Sequence, residues 1–151
     1  MDGPAGVFAR ESDALRRAVE VGVAGGRVVS VDFPATVSDD AAGESATLDR
    51  LFAYLGGTEE RLTDVEVALT VPTDHRDVLE ATRNVPYGET VAASRVARMT
   101  GLDADDADDL ATVREALANN PVPILVPDHR VSGVSGATPD SVGRRLRVLE
   151  E

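Results

Sequence analysis

Apolar residues alternate with polar or small ones over Val19, Val21 and Val23, and again over Val29, Val31 and Phe33, with Gly25-Gly26 between the two runs. A period of two predicts strands, and the glycine pair supplies the positive φ that a tight hairpin turn needs. Val7-Phe8-Ala9-Arg10 reads as a short strand ahead of the hairpin, and residues 34–45, small and polar, read as a loop. The period then changes. Leu48, Leu51, Phe52 and Leu55 stand at i, i+3, i+4 and i+7 behind Ser45, which predicts a helix capped by the serine hydroxyl and stopped at Gly56-Gly57. Val65, Val67, Leu69 and Val71 return to alternation and predict a further strand, ending near Pro72.

Helical spacing dominates from there on. Thr73 is expected to cap a helix through about Arg83, with Val78, Leu79 and Thr82 inward, and Thr90 to cap a second through Met99, ended by Gly101. Asp103 is expected to cap a third, with Asp105 and Asp106 in its first turn, where carboxylates suit the helix dipole. The buried stripe of this helix is Ala107, Leu110, Val113 and Leu117, and Asn119-Asn120-Pro121 ends it. A short helix from about Gly143 to Glu150 closes the chain. The two helices joined around Thr100-Gly101-Leu102 suggest a helix-turn-helix. The fold class is therefore α/β, with a small mixed α/β domain over residues 1–71 and a mainly helical domain over residues 72–151.

One stretch breaks both periods: Asn120-Pro121-Val122-Pro123-Ile124-Leu125-Val126-Pro127-Asp128-His129-Arg130-Val131. Its apolar run is bracketed by prolines, which fix φ and push their predecessors out of helix, so an extended buried strand is expected. The run ends in three polar residues. A strand of that kind delivers side chains into a pocket, with the chemistry at Asp128 and His129. The structural alternative is a polar loop end satisfied by local hydrogen bonds.

Composition narrows the chemistry. No apolar run approaches the roughly 20 residues of a membrane helix, and Asp2 near the N-terminus leads no basic-then-apolar signal, so a soluble cytoplasmic protein with no membrane partner is expected. There is no cysteine, which removes disulfides, thiolate catalysis and sulfur-held metals. With only His75 and His129 a multi-histidine metal site is not expected, and neither a metal nor a cofactor is assigned. His75 reads as exposed, and the Asp103–Asp109 run as a solvated face and helix start.

All fifteen basic residues are arginine, set against 27 acids for a net charge of −12. That balance ordinarily opposes nucleic acid, whose binding rests on cationic contacts. In molar salt the Debye length falls to about 3 Å, and an acidic surface no longer repels DNA at range, while arginine pairs at contact distance survive. An acidic, lysine-free chain rich in Ala, Val and Asp resembles the proteins of haloarchaea, and a halophilic host is the expectation.

The segment Pro127-Asp128-His129-Arg130-Val131 resembles the Pro-Cys-His-Arg-Val signature of the 6-O-alkylguanine-DNA alkyltransferases, with aspartate at the cysteine position. Val85-Pro86-Tyr87-Gly88-Glu89-Thr90 is similar to the same family's lead-in to its helix-turn-helix. The likeness covers about residues 74–151 and implies a winged helix-turn-helix-like domain that enters the minor groove and flips the damaged nucleotide outward. It implies that Asn120 braces the turn before the nucleophile, that His129 is the histidine acting through water, and that Arg130 holds the loop. Glu150 or Glu151 matches the acid that orients the histidine. Arg95, with Arg98, and Arg114 are the residues expected to meet phosphates, the alternative being that they pair with the surrounding acids.

The departures from the family are as informative. Asp128 replaces the thiol that accepts the alkyl group. Ala93 falls where the family has a tyrosine that rotates the target phosphate, and Ala111 where an arginine finger fills the gap left by the flipped base, with Arg114 one turn further on. Arg114 and Glu115 replace small residues of the recognition helix. The segment Ser132–Val142 stands for a longer lesion-covering loop, with Gly133 and Gly136 expected to keep it mobile.

Three functions follow. The first is an alkyltransferase-like protein, close to the cysteine-less members, that recognises 6-O-alkylguanine in double-stranded DNA and flags it to repair proteins without thiol transfer. The second is a dealkylase in which Asp128 attacks the alkyl carbon. The third is a degenerate interaction module.

Overall fold

A computed structural model describes residues 5–58 and 61–151. Backbone packing divides the chain into two compact units, the first ending at Ala68 and the second starting at Leu69.

In the first unit β1 (Ala5–Ser12), β2 (Arg17–Ala24) and β3 (Arg27–Asp32) form an antiparallel sheet in the order β1-β2-β3. The hairpin expected at Gly25-Gly26 is there, with φ of 60° and 75° at the two glycines. Its second strand keeps the expected face at Val31 and Phe33 but not at Val29. The register steps from Gly22 opposite Ser30 to Val23 opposite Val28, so Val29 is the extra residue of a bulge. Val28 and Val31 are buried in consequence and Val29 only half so, while Phe33 is buried beyond the strand end. Helix α1 (Ala46–Leu55) starts where its sequence says, the Ser45 hydroxyl accepting from the Leu48 N–H at 3.2 Å. Leu48, Leu51, Tyr54 and Leu55 make its buried face, while half-buried Phe52 lies under the Arg10 guanidinium at 5.0 Å. The strand expected over Val65–Val71 is absent. Only Val67 bridges Val28, through Val28 N–H to Glu66 and Ala68 N–H to Val28, before the chain leaves the sheet edge.

The second unit packs α2 (Thr73–Arg83), α3 (Ala93–Met99), α4 (Ala107–Ala118) and α5 (Asp140–Leu149) around Val78, Leu79, Val96, Val113, Leu117 and Leu146. Three expected caps are displaced. Thr73 is the first helical residue behind Pro72, with no side-chain cap. Thr90 precedes a two-residue strand, β4 (Val91–Ala92), whose parallel partner is β5 (Val131–Ser132), and α3 begins only at Ala93. β-branched Thr90-Val91 favours that extended pairing over a helical turn. Asp106, not Asp103, caps α4, its carboxylate accepting from the N–H of Asp108 and Asp109 at 2.8 and 3.4 Å. Asp103 instead closes a turn onto the Asp105 N–H at 2.9 Å. The buried face of α4 is accordingly Val113, Ala116 and Leu117, with Leu110 half-buried and Ala107 exposed. No helix among the described residues is long and apolar enough to cross a membrane.

Candidate functional site

The proline-rich run is buried as expected but is not a strand. Pro121, Pro123 and Pro127 cannot donate to a ladder, and the chain turns back on itself between them. Val126 N–H bonds to Val122 O at 2.9 Å, Pro123 bridges Val126, and Ile124 sits at φ 73°. Left-handed backbone at a β-branched residue is strained, and such strain persists only where surroundings over-determine it. Here the surroundings are Asn120. Its Oδ1 accepts from Val122 N–H at 3.0 Å, while Nδ2 donates to Val126 O at 2.9 Å and to Asp128 Oδ2 at 3.0 Å. One buried amide thus closes the turn and reaches the carboxylate at its end.

Asp128-His129-Arg130 follow as a single 3-10 turn that runs straight into β5. Asp128 and His129 are both buried. The Asp128 Oδ2 takes a second bond, from the Thr138 N–H at 3.2 Å, while Oδ1 has no hydrogen-bond partner among the described residues. Gly136 lies directly against this carboxyl group. A Cβ at that position would stand 2.5 Å from Cγ and 2.7 Å from Oδ1 of Asp128, so the glycine makes room for the carboxylate. The sequence reading of Gly136 as a source of loop mobility is corrected on that contact; Gly133, at φ 81° with nothing near it, does serve as a turn.

Behind Asp128 lies a network centred on Glu150, which decides between the two candidate acids; Glu151 is exposed. Glu150 Oε2 lies 2.7 Å from His129 Nε2, and its two oxygens take Arg130 Nε and Nη2 at 2.9 Å each. Oε1 also accepts from Gly88 N–H at 3.1 Å. A carboxylate engaged bidentately by arginine is an acceptor only, so His129 must present an Nε2–H to it. In the neutral ring Nδ1 is then a bare acceptor, and it is buried without a partner, as is the Thr138 hydroxyl. Both side chains approach Gly143: a Cβ there would lie 3.9 Å from His129 Cβ and 3.9 Å from Thr138 Cγ2. The site therefore gathers three polar atoms without protein partners: Asp128 Oδ1, His129 Nδ1 and Thr138 Oγ1.

Arg130 reaches further than Glu150. It spans from Glu150 to the Val85 carbonyl at 2.8 Å and covers the Tyr87 ring at 5.7 Å, while the Tyr87 hydroxyl donates to Leu149 O at 3.1 Å. The Val85–Gly88 motif and the C-terminal helix are thus tied together at the site. Gly88, at φ 80°, is pressed so close that a Cβ would meet Glu150 O at 3.1 Å.

Arg95 and Arg114 lie apart from this cluster, exposed on α3 and α4. Neither they nor Arg98 engage an acid, since no side-chain bond or ion pair involves them among the described residues. The alternative, a pairing with surrounding acids, is not seen among the described residues. His75 is half-buried rather than exposed, 3.8 Å from Glu115. Sequence reasoning missed Thr138 and the packing role of Gly136; their only signal was a Gly-Ala-Thr-Pro turn ahead of a helix, which does not reveal what the turn faces.

Residues 74–149 match the family model for the DNA-binding domain of 6-O-methylguanine DNA methyltransferase. The chain belongs to that family. Among curated relatives, the methylated-DNA–protein-cysteine methyltransferase of Mycobacterium tuberculosis is 36% identical over 99 residues, which are 64% of this chain and 56% of that protein. That of Methanopyrus kandleri is 34% identical over 83 residues, 55% of this chain and 59% of the relative. The sequence match to these methyltransferases thus spans little more than half of their length. A crystal structure of an M. tuberculosis O6-methylguanine methyltransferase variant matches with a TM-score of 0.75 at 26% identity, covering 97% of this chain and 92% of that one. An M. tuberculosis OGT structure in complex with DNA matches with a TM-score of 0.72 at 26% identity, covering 95% and 91%. The methyltransferase fold, a small sheet-bearing part followed by helices, is therefore that of this chain.

Proposed function

We propose that this chain is an alkyltransferase-like DNA repair protein that recognises 6-O-alkylguanine in duplex DNA through residues 72–151 and transfers no alkyl group to a thiol. The observation that carries the reading is the state of Asp128. The nucleophile position holds a buried carboxylate whose Oδ2 is engaged by Asn120 and Thr138, beside a histidine oriented by Glu150. The histidine, its acid and the asparagine brace remain; the thiol does not. Asp128 Oδ1 is left without a protein partner among the described residues.

DNA binding is supported by family membership and by the unpaired Arg95, Arg98 and Arg114 on the helix pair α3–α4, which we read as the helix-turn-helix. A runner-up rests on Asp128 Oδ1. If that oxygen attacked the alkyl carbon, the bond to guanine O6 would break, an ester would form and guanine would take up a proton at N1.

Binding to a duplex carrying one 6-O-methylguanine, compared with its guanine twin in molar potassium chloride, tests the proposal. Preference for the lesion is expected. Arg95→Ala and Arg114→Ala are each expected to weaken binding and lower the salt slope by about one. Equal binding to both duplexes would remove lesion recognition, and no duplex binding at any salt would favour an interaction module.

The halophilic, cytoplasmic setting belongs to the same proposal, because a net charge of −12 would otherwise repel the duplex. Self-repulsion at that charge loosens a compact state at low ionic strength, so the thermal midpoint is expected to rise as potassium chloride is raised from dilute to molar. A flat or falling midpoint across the series would remove the halophile reading and restore the charge argument against DNA.

A further inference from the structure

Helix α5 carries a charge pattern that the reading above does not use. Arg144, Arg145 and Arg147 fall within one turn, and the only acid of the helix is Asp140 at its start. Arg144 and Arg147 are exposed and three residues apart, so they share a face. Arg144 and Arg145 engage no partner among the described residues. In a chain with 27 acids, arginines left unpaired on an exposed helix are not serving internal ion pairs.

Arg147 is placed more closely. Helical side chains lean toward the N-terminus and lie over the preceding turn, and Arg147 lies over Gly143, its Nη1 3.4 Å from where a Cβ of Gly143 would be. The same Nη1 donates to the His129 carbonyl in a long bond of 3.4 Å. That bond uses one of the five guanidinium N–H groups and leaves the rest available. The charge is thus held beside the residue whose Nδ1 lacks a partner.

The neighbouring elements fit a shared role. α3 bears Arg95 and Arg98 with no acid, whereas α4 bears Asp108, Asp109 and Glu115 against Arg114 alone. Both cationic helices meet the site segment, α5 at the 3-10 turn and α3 at β5. Alanine at 93 and 111 offers a phosphate no side-chain donor.

We propose that Arg144 and Arg147 bind phosphates of the strand whose base enters the Asp128 pocket, with Arg147 the positioning residue beside that base. The proposal rests on the DNA-binding reading above. Guanidinium and phosphate match in two parallel N–H···O bonds, which hold at contact range even when salt screens the wider field.

The test uses the full chain and a duplex with one 6-O-methylguanine, titrated across a potassium chloride series, with circular dichroism confirming that each variant folds. Removing one arginine–phosphate pair lowers the slope of log K against log salt by about 0.9. R144Q/R147Q is therefore expected to lower it by nearly two and to weaken binding at least tenfold at the lower salts. R147K alone should keep most of the parent slope, and R27Q in the first unit should keep all of it. If the parent binds, Arg95→Ala lowers its slope and R144Q/R147Q does not, the DNA reading stands and the α5 proposal falls. Weaker lesion binding by R144Q/R147Q at an unchanged slope would mean that Arg147 only props up His129, which also overturns it. A parent that binds no duplex at any salt removes both readings.

Discussion

Replacing Glu150 by alanine is expected to cost the helical unit about 3–5 kcal/mol, the usual consequence of removing one partner of a buried ion pair. The Glu150 side chain is 3% exposed and is engaged by Gly88 N–H, by His129 Nε2 and by both Nε and Nη2 of Arg130. Without it the Arg130 guanidinium, 13% exposed, keeps only the Val85 carbonyl and the Tyr87 ring. Two further donors, on His129 and Gly88, lose their acceptor. Most of the cost is therefore that of an uncompensated buried charge, not the net worth of the pair. Glu150→Gln should lose less, yet more than a surface change, because one amide end donates and cannot accept both arms of Arg130. Exposed Glu151→Ala should stay within about 0.5 kcal/mol of the parent. Urea unfolding of the three variants checks the order. A Glu150→Ala protein as stable as the parent would mean that the network contributes nothing.

That network is legible from the chain only in part. Asn120, Asp128, His129 and Arg130 stand out because polar residues at the end of an apolar, proline-rich run have few other reasons to be there, and the structure brings all four together. The sequence leaves the acid open between Glu150 and Glu151 because helical phase alone settles which of two adjacent carboxylates faces inward. Arg147 carries no signal and Thr138 only that of a turn, since what they touch is set by how α5 and its leading turn fold back onto residue 129.

The fold shows the same division. Long amphipathic spacing locates the helices, and Ser45 caps where a hydroxyl stands alone ahead of an apolar run. Capping fails as a guide where several candidates crowd together: five aspartates precede or open α4, and the one that wins does so by a turn that sequence spacing does not rank. The bulge at Val29 and the missing strand after Val65 are failures of another kind. Alternation predicts faces only while the register holds, and a strand only when a partner edge runs alongside for more than two bonds. The proline run misleads because proline excludes helix without requiring a ladder. A buried turn closed by the Asn120 side chain satisfies the same constraint.

Asp128→Cys is expected to accept a single methyl group per chain, where the parent is expected to accept none. A free thiol, with a pKa near 8.5, is mostly protonated at neutral pH and needs a base. Asp128 itself is expected to be a poor nucleophile. Its Oδ2 is held by two donors, which draw charge away from Oδ1, and oxygen is a poorer attacker of a methyl carbon than sulfur. In the variant, His129 Nδ1, buried and without a partner, takes the thiol proton directly or through one water. Sulfur then attacks the methyl carbon, the bond to O6 breaks, and guanine is restored on protonation at N1. The exchange also removes an acceptor from the Thr138 N–H, so a stability loss of roughly 1–3 kcal/mol should accompany the gain. Labelled methyl DNA gives the readout: no label on the parent, and label on the variant that saturates at or below one per chain. Loss of methyl from DNA by the parent itself, abolished by Asp128→Asn, would instead establish the carboxylate as a nucleophile. A folded variant that binds the lesion and takes no label would show a recognition pocket whose attack geometry has been lost. One that neither binds nor reacts would leave the fold as an interaction module.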